Sequence, residues 1–221
     1  MSTADDSTGE PAAIDAGGRV YVLDDDVLQL ATMRRVLERH GLTVETFDSP
    51  RAFLRDAALT PPCCVVLDLQ FPAASGLEVQ EALAYRGGEL AVVFVSAHGN
   101  VPASVQAMKA GAVDFLPKPY PTEALIGAVR AALERSRDRC TTAAARAEAR
   151  ERLARLSPRE REVAVLLAAG LRNAEVGARL GTVEKTVKVH RSRLMKKLGL
   201  RSPAELVVLL SAAGEPTGGR P

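Results

Sequence analysis

The sequence predicts an α/β chain: a doubly wound, five-stranded parallel sheet followed by a smaller all-α domain. Three observations carry this. Short apolar runs alternate with helix-like segments from Arg19 to about residue 135. Polar, chemistry-bearing residues stand directly after several of those runs. Charge divides the chain: residues 19–134 hold 10 Lys+Arg against 14 Asp+Glu, net −4, while residues 151–213 hold 13 against 6, net +7. Two domains with different partners follow, the basic one suited to nucleic acid.

Strands are expected at 19–23, 43–47, 63–67, 91–95 and 113–116. Each run is short, partly β-branched and bounded by polar residues, as a strand buried on both faces should be. Helices are expected between and after them, at 27–40, 50–58, 76–86, 101–110 and 121–136. In the first, Leu30, Met33 and Leu37 recur at helical spacing and Gly41 closes it. Alternating units of this kind imply a parallel sheet covered on both sides. The carboxyl ends of such strands line one crevice. Asp24-Asp25-Asp26, Asp68 and Lys118 all follow strands, so several carboxylates and a lysine should converge there. That site suits a hard divalent cation and a phosphoryl group. Asp26 alone is better read as a turn former or helix N-cap.

Residues 136–155 are read as a solvated linker, helical in part, because alanine and arginine favour helix but the apolar stripe is thin. Beyond it, Ser157-Pro158-Arg159-Glu160 forms a capping box that opens a helix ending at Gly170. A short helix at about 173–180, a third at about 183–198 and a fourth opened by Ser202-Pro203 complete an all-helical domain at 156–213. Two short helices joined by a tight Gly-containing turn make a helix-turn-helix. In the third helix Val187, Leu194 and Leu198 repeat at core spacing. Its other face carries Lys185, Lys188, Val189, Ser192, Arg193 and Lys196, which suits the major groove of double-stranded DNA. Lys188 is expected to donate to guanine O6/N7, and Val189 to touch a thymine methyl. Two weaknesses stand out. Val183 occupies the N-cap position unless Thr182 caps instead, and Gly177 should cost its helix about 1 kcal/mol relative to alanine.

Residues 1–18 and 214–221 read as disordered tails, and residues 1–18 lack the basic start and apolar core of a signal peptide. No apolar run is long enough to span a bilayer, so no membrane partner is expected. Cys63, Cys64 and Cys140 suggest neither a disulfide framework nor zinc; core packing and a reducing cytoplasm fit best.

The motifs V-Y-V-L-D-D-D, V-V-L-D-L, V-F-V-S-A-H-G and F-L-P-K-P, in this order, resemble the receiver domain of two-component response regulators over about 19–135. The resemblance implies a flavodoxin-like receiver. It makes Asp68 the phosphoacceptor for a sensor histidine kinase, and gives Mg²⁺ the ligands Asp24, Asp25, Asp68 and the backbone carbonyl of Gln70. Lys118 would pair with the acyl phosphate, aimed by a cis Lys118-Pro119 bond, and Ser96 would hydrogen-bond it. Ser96 and Phe115 match a switch pair, and His98 and Gln70 border the acyl phosphate. Val105 and Lys109 match a face used for homodimerisation on phosphorylation, against the plainer reading of a core valine and a solvated lysine. Phe71-Pro72-Ala73 departs from the usual Met-Pro-Asp.

The runs L-S-P-R-E-R-E-V, A-A-G-L-R-N-A-E-V and T-V-K-V-H-R-S-R-L-M-K-K-L-G resemble the LuxR-type helix-turn-helix found behind FixJ/NarL-type receivers, over 156–210. This resemblance makes Lys188, Val189 and Ser192 base readers. Thr186, His190, Arg191 and Arg193 are assigned to phosphates. The expected function is a DNA-binding transcriptional response regulator acting on paired half-sites, not an enzyme beyond its own phosphotransfer and dephosphorylation. RNA polymerase is a candidate partner. The alternatives are a phosphorylation-independent DNA-binding protein whose receiver only dimerises, and a haloacid-dehalogenase-type phosphatase. The latter is disfavoured because Asp68-Leu69-Gln70 lacks a second carboxylate.

Overall fold

The computed structural model describes residues 18–86, 90–97 and 101–217. Apart from Gly18 and residues 214–217, the tails expected at 1–18 and 214–221 lie outside the described residues. The chain divides into two compact units between Cys140 and Thr141. In chain order the first contains β1 (Arg19–Leu23), α1 (Val27–Arg39), β2 (Thr43–Phe47), α2 (Pro50–Asp56), β3 (Cys63–Asp68), β4 (Gln70–Phe71), β5 (Ala74–Ser75), α3 (Gly76–Tyr85), β6 (Ala91–Ser96), α4 (Val101–Lys109) and β7 (Asp114–Pro117). The residues of α5 (Thr122–Ala154) are shared between the two units.

The five expected strands form one parallel sheet in the order β2-β1-β3-β6-β7. Successive side chains point to opposite faces of a strand, and here both faces are buried. Val20, Val22, Cys64, Val66, Val93 and Val95 pack with Leu30, Met33 and Leu37 of α1 and with Leu125, Ile126, Val129 and Leu133 of α5. Tyr21, Leu23, Cys63, Val65, Leu67, Val92 and Phe94 pack with Phe53 of α2, Val79 and Leu83 of α3 and Ala107 of α4. This two-sided burial explains why the strands read as unbroken apolar runs. It also accounts for Cys63 and Cys64, both core residues whose thiols burial pushes up, that of Cys63 to about 11. The Cys63 N–H donates to Ser136 Oγ at 3.1 Å.

The structure shifts one expected strand, carries β3 and β6 one residue further than expected, to Asp68 and Ser96, and adds two short strands. β7 is shifted by one residue to Asp114–Pro117, while the Val113 N–H still donates to Val92 O at 2.7 Å. The antiparallel ribbon β4–β5 pairs Gln70 with Ser75 and Phe71 with Ala74. Its turn, Pro72-Ala73, carries none of the Asn-Gly or Asp-Gly signals by which such hairpins are recognised. Among the described residues two X-Pro bonds are cis: Lys118-Pro119, as expected, and Pro61-Pro62.

The second unit contains α6 (Pro158–Ala168), α7 (Asn173–Arg179), α8 (Glu184–Leu198) and α9 (Pro203–Ala213). Val163, Val176, Val187, Leu194, Leu198, Leu206 and Leu210 form its core, joined by Ala149, Leu153 and Leu156. Ala149 and Leu153 belong to the stretch read as solvated linker; residues 141–148 are the exposed part. Basic side chains satisfy helix-end carbonyls: Arg152 donates to Leu198 O at 2.7 Å, Arg159 to Leu180 O at 2.6 Å and Arg150 to Ala213 O at 3.2 Å. Gly214 closes α9 in the left-handed region and Glu215 pairs with Arg161, so residues 214 and 215 are built onto the domain. Among the described residues no helix is long and apolar enough to cross a membrane.

Of the two weaknesses noted around α8, the missing cap stands and the glycine is explained. Val183 is the N-cap and makes no side-chain cap bond, so Thr182 does not replace it. Instead the Thr182 N–H donates to Gly177 O at 2.9 Å. A Cβ at Gly177 would lie 2.8 Å from Thr182 O. The expected propensity cost of Gly177 is therefore outweighed by a close backbone approach that only glycine allows. Gly177→Ala should destabilise the second unit by about 1–3 kcal/mol through overpacking, rather than stabilise it. Urea unfolding of the full chain, followed by far-UV circular dichroism, reads the sign.

Glu160 is buried at the start of α6 and completes the expected capping box. It accepts from Lys197 Nζ at 2.6 Å and from the Ser157 N–H at 2.9 Å. The lysine bond first, then the backbone bond, hold its carboxyl at about 2. Because the folded value is depressed, this stabilisation is present above the unfolded value of about 4.3. It is lost as pH falls from there towards about 2. Glu160→Gln should be less stable at neutral pH and lose less on acidification. Amide-exchange opening energies at Val163, Val187 and Leu194 in the full chain measure this.

Candidate functional site

The strand register brings the candidate residues together. Leu23 pairs with Leu67 and Asp68 with Val95, so Asp24, Asp68 and the end of β6 stand side by side. Ser96 pairs with Pro117, which puts Lys118 beside them. The strand order reverses between β1 and β3, the switch point at which doubly wound sheets bind ligands.

Lys118 Nζ donates to Asp24 Oδ2 and to Asp68 Oδ2, each at 2.7 Å. Their remaining oxygens accept backbone bonds: Asp24 Oδ1 from Asp26 N at 2.9 Å, and Asp68 Oδ1 from Gln70 N at 3.1 Å. Asp24 is 1 % exposed. Burial holds its carboxyl above the ordinary range, although Lys118 and the Asp26 N–H pull the other way. Burial alone would lower Lys118, but the bonds it donates to Asp24 and Asp68 outweigh it and hold the ammonium above the usual lysine range.

Asp25, Gln70, Phe71 and Pro72 line the same cleft of about 490 Å³ with Asp24, Asp68 and Lys118. Asp25 is exposed within it. Asp26 also lines it but is committed as the α1 N-cap, accepting from Leu28 N and Gln29 N. The carboxylate donors are all hard oxygens, which suits a hard cation. Among the described residues no three His, Cys, Asp or Glu are grouped as a metal cage.

Ser96 is buried at the end of β6, its carbonyl accepting from the Lys118 N–H at 2.8 Å. Ala97, rather than Ser96, lines the cleft. Phe115 is half-buried and stacked on Phe94, with centroids 6.0 Å apart. Val105 and Lys109 are both exposed on α4 beside Val101 and Met108, so the core reading of Val105 does not hold. His98 lies outside the described residues. Sequence reasoning missed Gly76. A Cβ there would lie 2.3 Å from Asp68 O and 3.0 Å from Phe94 Cε1, so glycine lets α3 start against the end of β3. A glycine directly behind the Ser75 N-cap, where a side chain would normally be tolerated, was the available signal.

All seven candidate DNA contacts lie on α8. Lys188, Val189, Ser192 and Arg193 are exposed; Thr186, His190 and Arg191 are half-buried. Lys185 and Lys196 extend the exposed basic face, while Val187, Leu194 and Leu198 turn into the core. One contact was not foreseen: Lys188 Nζ pairs with Glu184 Oε1 at 2.9 Å.

Comparison with known proteins finds a family for each of the two units. Residues 20–130 match the response regulator receiver domain, and residues 154–210 match the bacterial regulatory proteins of the luxR family. The response regulator protein TodT of Pseudomonas putida is 38% identical over 200 residues, covering 90% of this chain and 88% of its own. The transcriptional regulatory protein FixJ of Azorhizobium caulinodans is 41% identical over 195 residues, covering 88% and 92%. The solved structure of the response regulator StyR matches with a TM-score of 0.74 at 39% identity, over 88% of this chain and 98% of that one.

Lys118→Met would leave the Asp24 and Asp68 carboxylates facing each other without their shared cation. In a chelator, the first unit should lose about 3 kcal/mol, the lower end of the cost of breaking a buried ion pair. Chemical denaturation read by the fluorescence of Tyr21, Tyr85 and Tyr120, all in that unit, measures it.

Proposed function

The chain belongs to the response regulators, with a receiver domain followed by a luxR-family DNA-binding domain, and is a transcriptional regulator of a two-component system; from this premise we propose that phosphorylation of Asp68 by a sensor histidine kinase controls its binding to DNA. The observation that carries the reading is Lys118 bridging Asp24 and Asp68 at the sheet's switch point.

In this reading an Asp68 oxygen attacks the phosphorus of a kinase phosphohistidine. A P–O bond forms, the P–N bond breaks, and the imidazole leaves with the electron pair. Lys118, already on Asp68 Oδ2 at 2.7 Å, stays with the acyl phosphate as its counter-charge. Asp24, Asp25, Asp68 and the backbone carbonyl of Gln70 would hold Mg²⁺. Bound there, it offsets the carboxylate charge that would repel an incoming phosphoryl dianion. Ser96, buried at the end of β6, would donate its hydroxyl to a phosphoryl oxygen after a local movement towards it. Such a movement would be relayed through Phe115 and its stacking partner Phe94 to the α4 surface at Val105 and Lys109.

Dimerisation through that surface would present two copies of α8 to paired half-sites, raising the effective concentration of the second. Lys188, Val189 and Ser192 read base edges; Thr186, His190, Arg191 and Arg193 hold phosphates. The protein then works in the cytoplasm, beside the chromosome and RNA polymerase. The family comprises transcription regulators rather than classical enzymes; dephosphorylation of its own Asp68 is the one further reaction proposed.

With acetyl phosphate and Mg²⁺, wild-type affinity for a selected DNA site should rise on the order of tenfold or more. Asp68→Asn should show no such rise. Measurements at one fixed ionic strength are needed, because phosphate contacts make affinity steeply salt-dependent. Equal tightening in the variant would instead mark a DNA-binding protein independent of phosphorylation.

A further inference from the structure

We propose that Glu184 is a specificity-determining residue, which together with Lys188 selects a cytosine beside the guanine that Lys188 reads. The inference rests on the DNA-reading role proposed for α8.

Glu184 is the one acidic residue of α8, which also carries Lys185, Lys188, Arg191, Arg193, Lys196 and Lys197. It opens the helix directly after the uncapped Val183, and its carboxylate is paired with Lys188 one turn on, Oε1 to Nζ at 2.9 Å. Both side chains are open to solvent. A helix N-terminus favours an anion, and an exposed pair at this spacing contributes little to stability. These effects account for a tolerated glutamate. They do not account for its consequence when the helix enters a groove.

The N-terminal residues of a reading helix are those that approach base edges in the major groove. A carboxylate carried there meets the field of the phosphates. In its ion pair with Lys188 it accepts hydrogen bonds and donates none. The major-groove donors are cytosine N4 and adenine N6, and beside adenine N6 lies the N7 acceptor, which repels a carboxylate. Cytosine N4 is thus the edge that satisfies Glu184. Guanine, with O6 and N7, is the edge that satisfies Lys188. The ion pair therefore presents an acceptor and a donor side by side, the complement of the cytosine donor and guanine acceptors found in one C·G pair or two neighbouring ones. Elsewhere the carboxylate is desolvated either without a donor or, over adenine, with N6 beside the repelling N7, and that cost discriminates against wrong sites.

The test uses the full chain with acetyl phosphate and Mg²⁺, selecting from a random-site library at fixed salt. The wild type should enrich a C·G pair at one position of each half-site. Glu184→Gln should move that position towards adenine, which a glutamine amide reads through N6 and N7, and leave the others unchanged. Glu184→Ala should lose preference there, and its ratio of specific to non-specific affinity should fall on the order of tenfold. Selection of an unchanged motif by both variants, with an unchanged affinity ratio, overturns the role of Glu184. Absence of any motif with the wild type overturns instead the DNA-reading role on which it depends, and the Glu184 inference with it. Far-UV circular dichroism of the variants separates a lost preference from a lost helix.

Discussion

One ammonium group shared by two carboxylates organises the receiver. Lys118 Nζ lies 2.7 Å from Asp24 Oδ2 and 2.7 Å from Asp68 Oδ2. Asp24 directly follows β1, Asp68 ends β3, and the lysine follows β7 on the far edge of the sheet. Unit charges about 4 Å apart interact by about 4 kcal/mol at the effective dielectric of a protein surface. Each acid thus gains from the lysine much of what it loses by burial near the other. Asp24 shows that the balance is incomplete, since burial still holds its carboxyl above the ordinary range. The oxygen donors of the cleft are of the kind that a hard cation meets.

The rest of the receiver keeps these three groups at that separation. The parallel register aligns Asp24 with Asp68, and both faces of the central strands are closed by α1 and α5 on one side and α2, α3 and α4 on the other. Gly76 lets α3 begin against the Asp68 carbonyl, where a methyl group would force the end of β3 to shift. Asp26 caps α1 two residues after Asp24, and its own N–H orients the Asp24 carboxylate. Local capping, strand register and ionic contact therefore act on the same few atoms.

Much of this was legible because it is local or periodic. The apolar runs marked all five strands of the sheet, and the residues after them marked the site. The capping box at Ser157 and the core stripe of α8 followed from spacing alone. What escaped reading depends on atoms distant in sequence. Gly76 and Gly177 are ordinary glycines until the carbonyls of Asp68 and Thr182 approach them. Ala149 and Leu153 sit on a thin apolar stripe, and only the partner helices show that it is buried. The β4–β5 ribbon has a turn without the usual residues, and the pairing of Glu160 with Lys197 joins positions 37 apart.

The same contrast explains how α8 is held. Its first turn has no side-chain cap, so its start is placed by the backbone approach at Gly177. Its last turn is fixed by side chains: Arg152 takes the Leu198 carbonyl, and Lys197 reaches the buried Glu160 that also caps α6. Val187, Leu194 and Leu198 lock the inner face between them. With both ends and one face so committed, the remaining face has no structural duty. Its basic residues and the single acid Glu184 are free to be set by what the helix must meet in a groove rather than by what it must pack against.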